Sequence, residues 1–335
     1  MLLRTQIIEI LKHIIVQSTG KPVFSVASIE ELDIDKDGKV TISLNFPPID
    51  ESEVIEVQSA IEERLKEEGA SEVNLTINVR KPRNIHHVIA VSSGKGGVGK
   101  STVSTNIAIA LSQLGNRVGL LDADIYGPDI PMMFGVNERP YVNEENKIIP
   151  IEKYGVKLMS IGFLLDKSDT PVAWRGPLVT KAIEQFYNDV EWGELDYLII
   201  DLPPGTGDVQ LTIAQSLPTK YGIVVTTPQD VSILDASKAL NMFRASEIEV
   251  MGIIENMSYF VCPETGTRYE IFGSGGGERL AKESGARLIG RIPLEPRIRK
   301  GGDEGNPVVL MEEDTETRRI FLEIAKEVTK FIEGS

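Results

Sequence analysis

One stretch limits what this chain can fold into more than any other: Val88-Ile-Ala-Val-Ser-Ser-Gly-Lys-Gly-Gly-Val-Gly-Lys-Ser101. Val88 to Val91 is a short apolar run of the kind that forms a buried strand. Gly94, Lys95, Gly96, Gly97, Val98, Gly99, Lys100 and Ser101 fit the phosphate-binding spacing G-x-x-x-x-G-K-[ST]. A helical stretch, Thr102 to Leu114, follows at once. Strand, glycine loop and helix in that order let backbone N–H groups and a helix N-terminus converge on an anion. In such a loop Lys100 neutralises charge on the β- and γ-phosphates, and the Ser101 hydroxyl sits on Mg²⁺.

The residues after the loop alternate strands and helices, which predicts an α/β fold with a doubly wound, mostly parallel sheet. Strands are expected at Arg117–Asp122, Leu195–Asp201, Tyr221–Thr227 and Ile248–Asn256. Helices are expected from Trp174-Arg-Gly-Pro177 to about Val190, near Ser232–Arg244, and after the glycine run Gly273-Ser-Gly-Gly-Gly277. Residues 313–332 form a closing helix with Ile320, Phe321, Ile324, Val328 and Phe331 on one side.

The first 80 residues read differently. Ile7, Ile8, Leu11, Ile14 and Ile15 share a helical face over residues 5–17, and Val23 to Ile34 reads as extended. Asp37-Gly38 is a hairpin signal, followed by the alternating strand Val40, Ile42, Leu44, Phe46. A helix over Glu51–Glu68, striped by Val54, Val57, Ile61 and Leu65, ends at Gly69. Val73, Leu75, Ile77 and Val79 alternate again. The sum is a small α+β domain at 1–80, a linker at 81–87, and the nucleotide-type domain at 88–335. His86 and His87 fall in that linker and read as solvated; with His13 they are the only histidines.

Charge narrows the partners. A net charge of −15 argues against nucleic acid and against an anionic membrane surface. The single cysteine, Cys262, excludes an intramolecular disulfide and fits a reducing cytoplasm. No run approaches the ~20 apolar residues of a membrane span, and the N-terminal apolar pattern carries Glu9 and Lys12, unlike a secretory leader. The expected location is therefore cytoplasmic.

Ligands of open α/β sheets gather at the carboxyl ends of strands. Asp201, closing Tyr-Leu-Ile-Ile-Asp, fits a Walker B residue that holds Mg²⁺, and Leu202 to Gly207 forms a mobile turn beside the γ-phosphate. Asp124 is placed to orient the attacking water, with Asp122 left to support the metal. Either strand-end aspartate can instead cap a helix. Asn256 reads equally as a contact to the adenine edge or as a turn asparagine.

The Gly-Lys-Gly-Gly-Val-Gly-Lys-Ser spelling resembles the deviant loop of the ParA/MinD/ArsA class of ATPases. Joined to it are Leu120-Leu-Asp-Ala-Asp-Ile-Tyr-Gly-Pro-Asp-Ile-Pro131, Trp174-Arg-Gly-Pro177, Asp201-Leu-Pro-Pro-Gly-Thr-Gly-Asp208, Thr226-Thr-Pro-Gln229, Glu255-Asn-Met-Ser-Tyr259 and Phe272-Gly-Ser-Gly-Gly-Gly-Glu278. Together, over about residues 85 to 310, they resemble the Mrp/ApbC family of iron–sulfur cluster carriers. The N-terminal domain is similar, more weakly, to the small iron–sulfur-assembly domain often fused to them. The resemblance implies a homodimer, Mg-ATP binding, slow hydrolysis, and a cluster held at the dimer interface for delivery to apo-proteins. It implies that Gly94 to Thr102 bind phosphate, that Lys95 reaches the partner's phosphates, and that Asn256 contacts adenine. A solvated lysine on an open loop is the plain alternative for Lys95.

The chain departs from the family at one point. Where the family commonly carries Cys-Pro-x-Cys, this sequence reads Cys262-Pro-Glu-Thr265. A dimer then offers two thiolates where the common clusters want four. The small domain adds none, since Asn45-Phe-Pro-Pro-Ile49 stands where its relatives often have a cysteine. The missing ligands would come from Glu264, an exogenous thiol or a partner's cysteine, or no cluster is held. In that last case the chain is a nucleotide-gated protein-interaction module.

Overall fold

The computed structural model describes residues 2–79, 84–144, 146–164, 176–312 and 314–334. The Trp174-Arg175 part of the family motif and linker residues 81–83 lie outside them. The chain divides into two compact units, Met1–Arg83 and Asn84–Ser335.

The first unit packs two helices, α1 (Arg4–His13) and α2 (Glu51–Glu67), on a three-stranded sheet. Its strands are β1 (Ser28–Ile34), β2 (Lys39–Phe46) and β3 (Glu72–Val79), in the order β1-β2-β3. β1 pairs antiparallel with β2 through the Asp37-Gly38 turn, where Gly38 sits at φ +82 and the Asp35 carboxylate accepts from the N–H groups of Asp37 and Lys39. β2 and β3 run parallel across the α2 crossover. Val40, Ile42, Leu44 and Phe46 meet Ile7, Leu11, Val57, Ile61 and Leu65 in the core.

Two expectations fail in this unit. The first helix stops at His13; Ile14 is extended and Ile15 is largely exposed, because residues 15–16 turn back to pair with 21–22. Val23–Val26 is a helical turn rather than a strand, started from Pro22 at φ −60.

The second unit is built on eight strands: β4 (Ile85–Ser93), β5 (Val118–Asp122), β6 (Ile151–Lys153), β7 (Val156–Ser160), β8 (Leu195–Asp201), β9 (Tyr221–Thr226), β10 (Glu249–Glu255) and β11 (Leu288–Arg291). Their order is β6-β7-β5-β8-β4-β9-β10-β11, and every pair is parallel except β6–β7. The α/β fold with a mostly parallel sheet is thus as expected. Alternate side chains of each strand enter separate cores: Val88, Ala90 and Ile200 on one face, Ile89, Val91 and Ile199 on the other. Helices cover both faces, as a parallel sheet requires.

The helices that matter for the site are α3 (Lys100–Gln113), α4 (Ile130–Met133), α5 (Gly176–Asp189), α6 (Asp208–Ser216), α7 (Asp230–Ala245), α8 (Gly276–Ser284), α9 (Pro296–Asp303) and α10 (Glu316–Glu333). α3 is buried nearly all round because α10 packs on its outer side. α10 starts at Thr315, whose hydroxyl accepts from Arg318 N–H, and buries Phe321, Ile324 and Val328. His86 and His87 are strand residues of β4, not linker. His87 lies between the rings of Tyr197 and Tyr221, which compensates a polar residue at the start of a buried strand.

Candidate functional site

The glycine loop leaves β4 at Ser93 and enters α3 at Lys100. Gly94 has no room for a side chain: a Cβ there would lie 2.1 Å from the carbonyl carbon of Asp235 in α7. Gly97 and Gly99 adopt φ +79 and +83, which L side chains avoid. The loop is held from three sides. Ser93 Oγ donates to the Lys95 carbonyl (3.0 Å), Gly205 N–H to the Ser93 carbonyl (2.9 Å), and Asn256 Nδ2 to the Val98 carbonyl (2.8 Å). Lys95 is half-exposed on the loop.

Below the loop, adjacent strands bring Asp122 and Asp201 into register at their carboxyl ends. Lys100, buried, places Nζ 2.6 Å from Asp201 Oδ2 and 3.4 Å from Asp124 Oδ2. Ser101 Oγ donates to the same Asp201 oxygen (2.6 Å), and Ser104 Oγ to the other, Oδ1 (2.5 Å). Asp122 is held by Ser160 Oγ (2.7 Å) and by the N–H of Asp124 (3.1 Å). Asp124 accepts from Tyr126 N–H (3.1 Å). Lys100, Ser101, Asp122, Asp124 and Asp201 therefore meet at one point. Ser104 and Ser160 were not visible as site residues in the sequence. The only sequence signal for Ser104 is its position four residues after Lys100, on the same helix face.

Burial pushes the Asp122 carboxyl well above the usual range, and the Asp201 charge adds to it. Burial also raises Asp124, with Lys100 opposing. Burial alone would pull Lys100 down, but Asp201, Asp124 and Asp122 outweigh it and its ammonium is held more tightly than usual. Lys100 pairs with Asp201 and Asp124, with Asp122 behind them, and a bound cation would favour the ionised form of all three carboxyls. The donors are hard oxygens. Among the described residues no three His, Cys, Asp or Glu side chains form an ion cage. That set fits Mg²⁺, which prefers one or two carboxylates completed by phosphate and water.

Beside the start of α3 lies a cavity of about 240 Å³, walled by Met132, Met133, Asn256, Pro293, Leu294 and Ile298. It is apolar with a few polar groups at its edge, the character of a nucleobase site. Its two helical walls, α4 and α9, are followed by Gly135 and Gly305, which approach so closely that a Cβ on Gly305 would lie 2.3 Å from Gly135 Cα. Asn256 lines the cavity while its amide holds the loop.

The segment after Asn256 runs to the cysteine. Leu294 N–H donates to the Tyr259 carbonyl (2.6 Å), Tyr259 Oη donates to Glu316 Oε1 (2.8 Å), and the Arg268 guanidinium lies 3.9 Å over the Tyr259 ring. Residues 260–261 pair with 268–269, and Cys262 stands in the intervening turn, half-buried. The Thr265 hydroxyl, with the N–H groups of Thr265 and Glu264, draws the Cys262 thiol below its usual range. The glycine run at 273–277 has a structural task. Gly277 N–H donates to buried Glu255 Oε2 (2.6 Å), and a Cβ on Gly276 would lie 2.4 Å from the Pro228 carbonyl oxygen.

The ParA family model, described as the NUBPL iron-transfer P-loop NTPase, matches residues 84–329. The chain belongs to this family. An iron–sulfur cluster carrier protein of Aquifex aeolicus is 51% identical over 256 residues, covering 76% of this chain and 70% of the relative. One of Helicobacter pylori is 39% identical over 347 residues, 99% of this chain and 94% of the relative, so that likeness extends through the small N-terminal unit. Among solved structures, an Archaeoglobus fulgidus nucleotide-binding protein in complex with ADP superposes with a TM-score of 0.62 at 39% identity. It covers 71% of this chain and 93% of its own. Within the matched residues, the glycine loop and the strand-end aspartates of this chain form one connected site. Among the described residues no helix is long and apolar enough to cross a membrane.

Proposed function

We propose that this chain binds and slowly hydrolyses Mg-ATP as a cytoplasmic homodimer, and that it carries iron–sulfur clusters to apo-protein clients. The observation that supports this most is the meeting of Lys100, Ser101, Asp122, Asp124 and Asp201 beneath a glycine loop that opens on an apolar, base-sized cavity. Names of relatives 39% and 51% identical point to the cargo.

In this reading the loop N–H groups from Gly94 to Thr102 cradle the phosphates, and the base enters the cavity edged by Asn256. Lys100 exchanges Asp201 for the phosphates, and Lys95 reaches the partner's nucleotide. Mg²⁺, held by Ser101 and Asp201 with Asp122 behind them, would neutralise phosphate charge. Asp124 orients the water that attacks the γ-phosphorus, and ADP leaves as the γ-bridging bond breaks. The cluster is cargo, bound through the Cys262 thiolates of both subunits with its other ligands drawn from elsewhere.

Thr265 supports a second reading, in which the chain is a nucleotide-gated protein-binding module without its own cluster. Anaerobic reconstitution with iron and sulfide, with and without Mg-ATP, separates the two. Charge-transfer absorption bands with stoichiometric iron per dimer, lowered by Cys262→Ala, support carriage. Colourless, iron-free protein that still binds ATP supports the second reading.

A further inference from the structure

The Asp201 carboxylate is held by two different sets of groups. Oδ2 takes Lys100 Nζ and Ser101 Oγ, both at 2.6 Å. Oδ1 takes Ser104 Oγ at 2.5 Å. Ser104 is fully buried, one turn into α3 and outside the glycine loop. Among the described residues its one other near acceptor is the Lys100 carbonyl at 3.1 Å, so its single proton goes to the shorter, charge-assisted bond.

We infer that Ser104 is a positioning residue for the metal-binding carboxylate. The inference rests on the nucleotide reading above. When Lys100 turns to phosphate and Ser101 to Mg²⁺, both contacts to Oδ2 are reassigned, while nothing in that exchange requires the Ser104 bond to break. Ser104 then fixes the plane of the carboxylate, keeping one oxygen turned toward the loop and the other on Ser104. Without it the plane is free to turn, and the oxygen away from the loop is left buried without the Ser104 donor.

The test is the affinity of the non-hydrolysable analogue AMPPNP, measured by calorimetry in EDTA and across a MgCl₂ series. Ser104→Ala is expected to raise the MgCl₂ concentration of half-maximal effect about tenfold, the order of one charge-assisted hydrogen bond, while affinity in EDTA stays within twofold. In an Asp201→Asn background the same change is expected to add nothing. An unshifted MgCl₂ midpoint overturns the inference. So does an equal loss of affinity with and without Mg²⁺, or an effect that persists beside Asp201→Asn. Wild-type protein whose AMPPNP affinity ignores MgCl₂ overturns the nucleotide reading itself, and this role with it.

Discussion

Lys100 Nζ lies 2.6 Å from Asp201 Oδ2, and both side chains are buried. The ion pair ties the first residue of α3 to the carboxyl end of β8. Breaking a buried pair by removing one partner leaves the other charge without compensation. Lys100→Ala should therefore abolish ATP binding and also lower stability by about 3 kcal/mol. Adding Asp201→Asn should recover part of that stability and none of the binding. Denaturant unfolding and nucleotide titration on the three proteins check this. A single variant as stable as the parent would mean that water replaces the ammonium.

The glycines of the loop differ in what they tolerate. A Cβ on Gly94 would meet the backbone of Asp235 and Ala236 at 2.1 to 2.6 Å, and helix backbone cannot step aside. A Cβ on Gly96 would meet only Pro204 Cβ, at 4.0 Å. Gly94→Ala should cost about 3 kcal/mol of stability, and Gly96→Ala should leave the thermal midpoint unchanged. Equal melting of the two variants would show that the loop and α7 separate readily.

The loop and the strand-end aspartates were legible in the sequence because each depends on residues adjacent in the chain. The strands bearing them are buried on both faces, so Val88–Val91 and Leu198–Ile200 read as continuous apolar runs. Ser160 was not legible: it matters only because β7 lies beside β5, which sets Ser160 opposite Asp122. His86 and His87 interrupted the apolar pattern of β4, and their strand position depends on Tyr197 and Tyr221 from neighbouring strands. The turn-back at residues 15–22 depends on a two-residue pairing too short to leave a periodic signal.

Arg117 and Asp196 give a pH dependence with a definite sign. Hydrogen bonds from the Arg117 side chain, then its backbone N–H, hold the Asp196 carboxyl down to about 2. Its ordinary value is about 3.9, so between the two pH values the unfolded chain binds more protons than the folded one. The contribution to stability is complete above about pH 4 and is lost as pH falls through about 2. Asp196→Asn should unfold at lower denaturant than the parent at pH 7, and the gap should narrow steadily below pH 4. A gap independent of pH would mean that Asp196 acts through packing alone.

Thr265 follows Cys262 by three residues in the same turn, and its hydroxyl is the largest influence lowering the Cys262 thiol. A donor to sulfur favours the thiolate, so Thr265→Ala should move the thiol back up toward its usual range. Alkylation of Cys262 by iodoacetamide at pH 7 should slow, and its pH profile should shift upward. Thr265→Cys tests cargo rather than acidity. It gives the proposed dimer four thiolates in place of two, the number that the common iron–sulfur clusters take. Iron retained after anaerobic reconstitution should rise in this variant and stay at or below the parental level in Thr265→Ala. If Thr265→Cys retains no more iron than the parent, ligand number does not limit cluster binding at this turn. The oxygen or borrowed-thiol ligands of the first reading would then suffice if both proteins carry iron, and the nucleotide-gated binding module would stand if neither does.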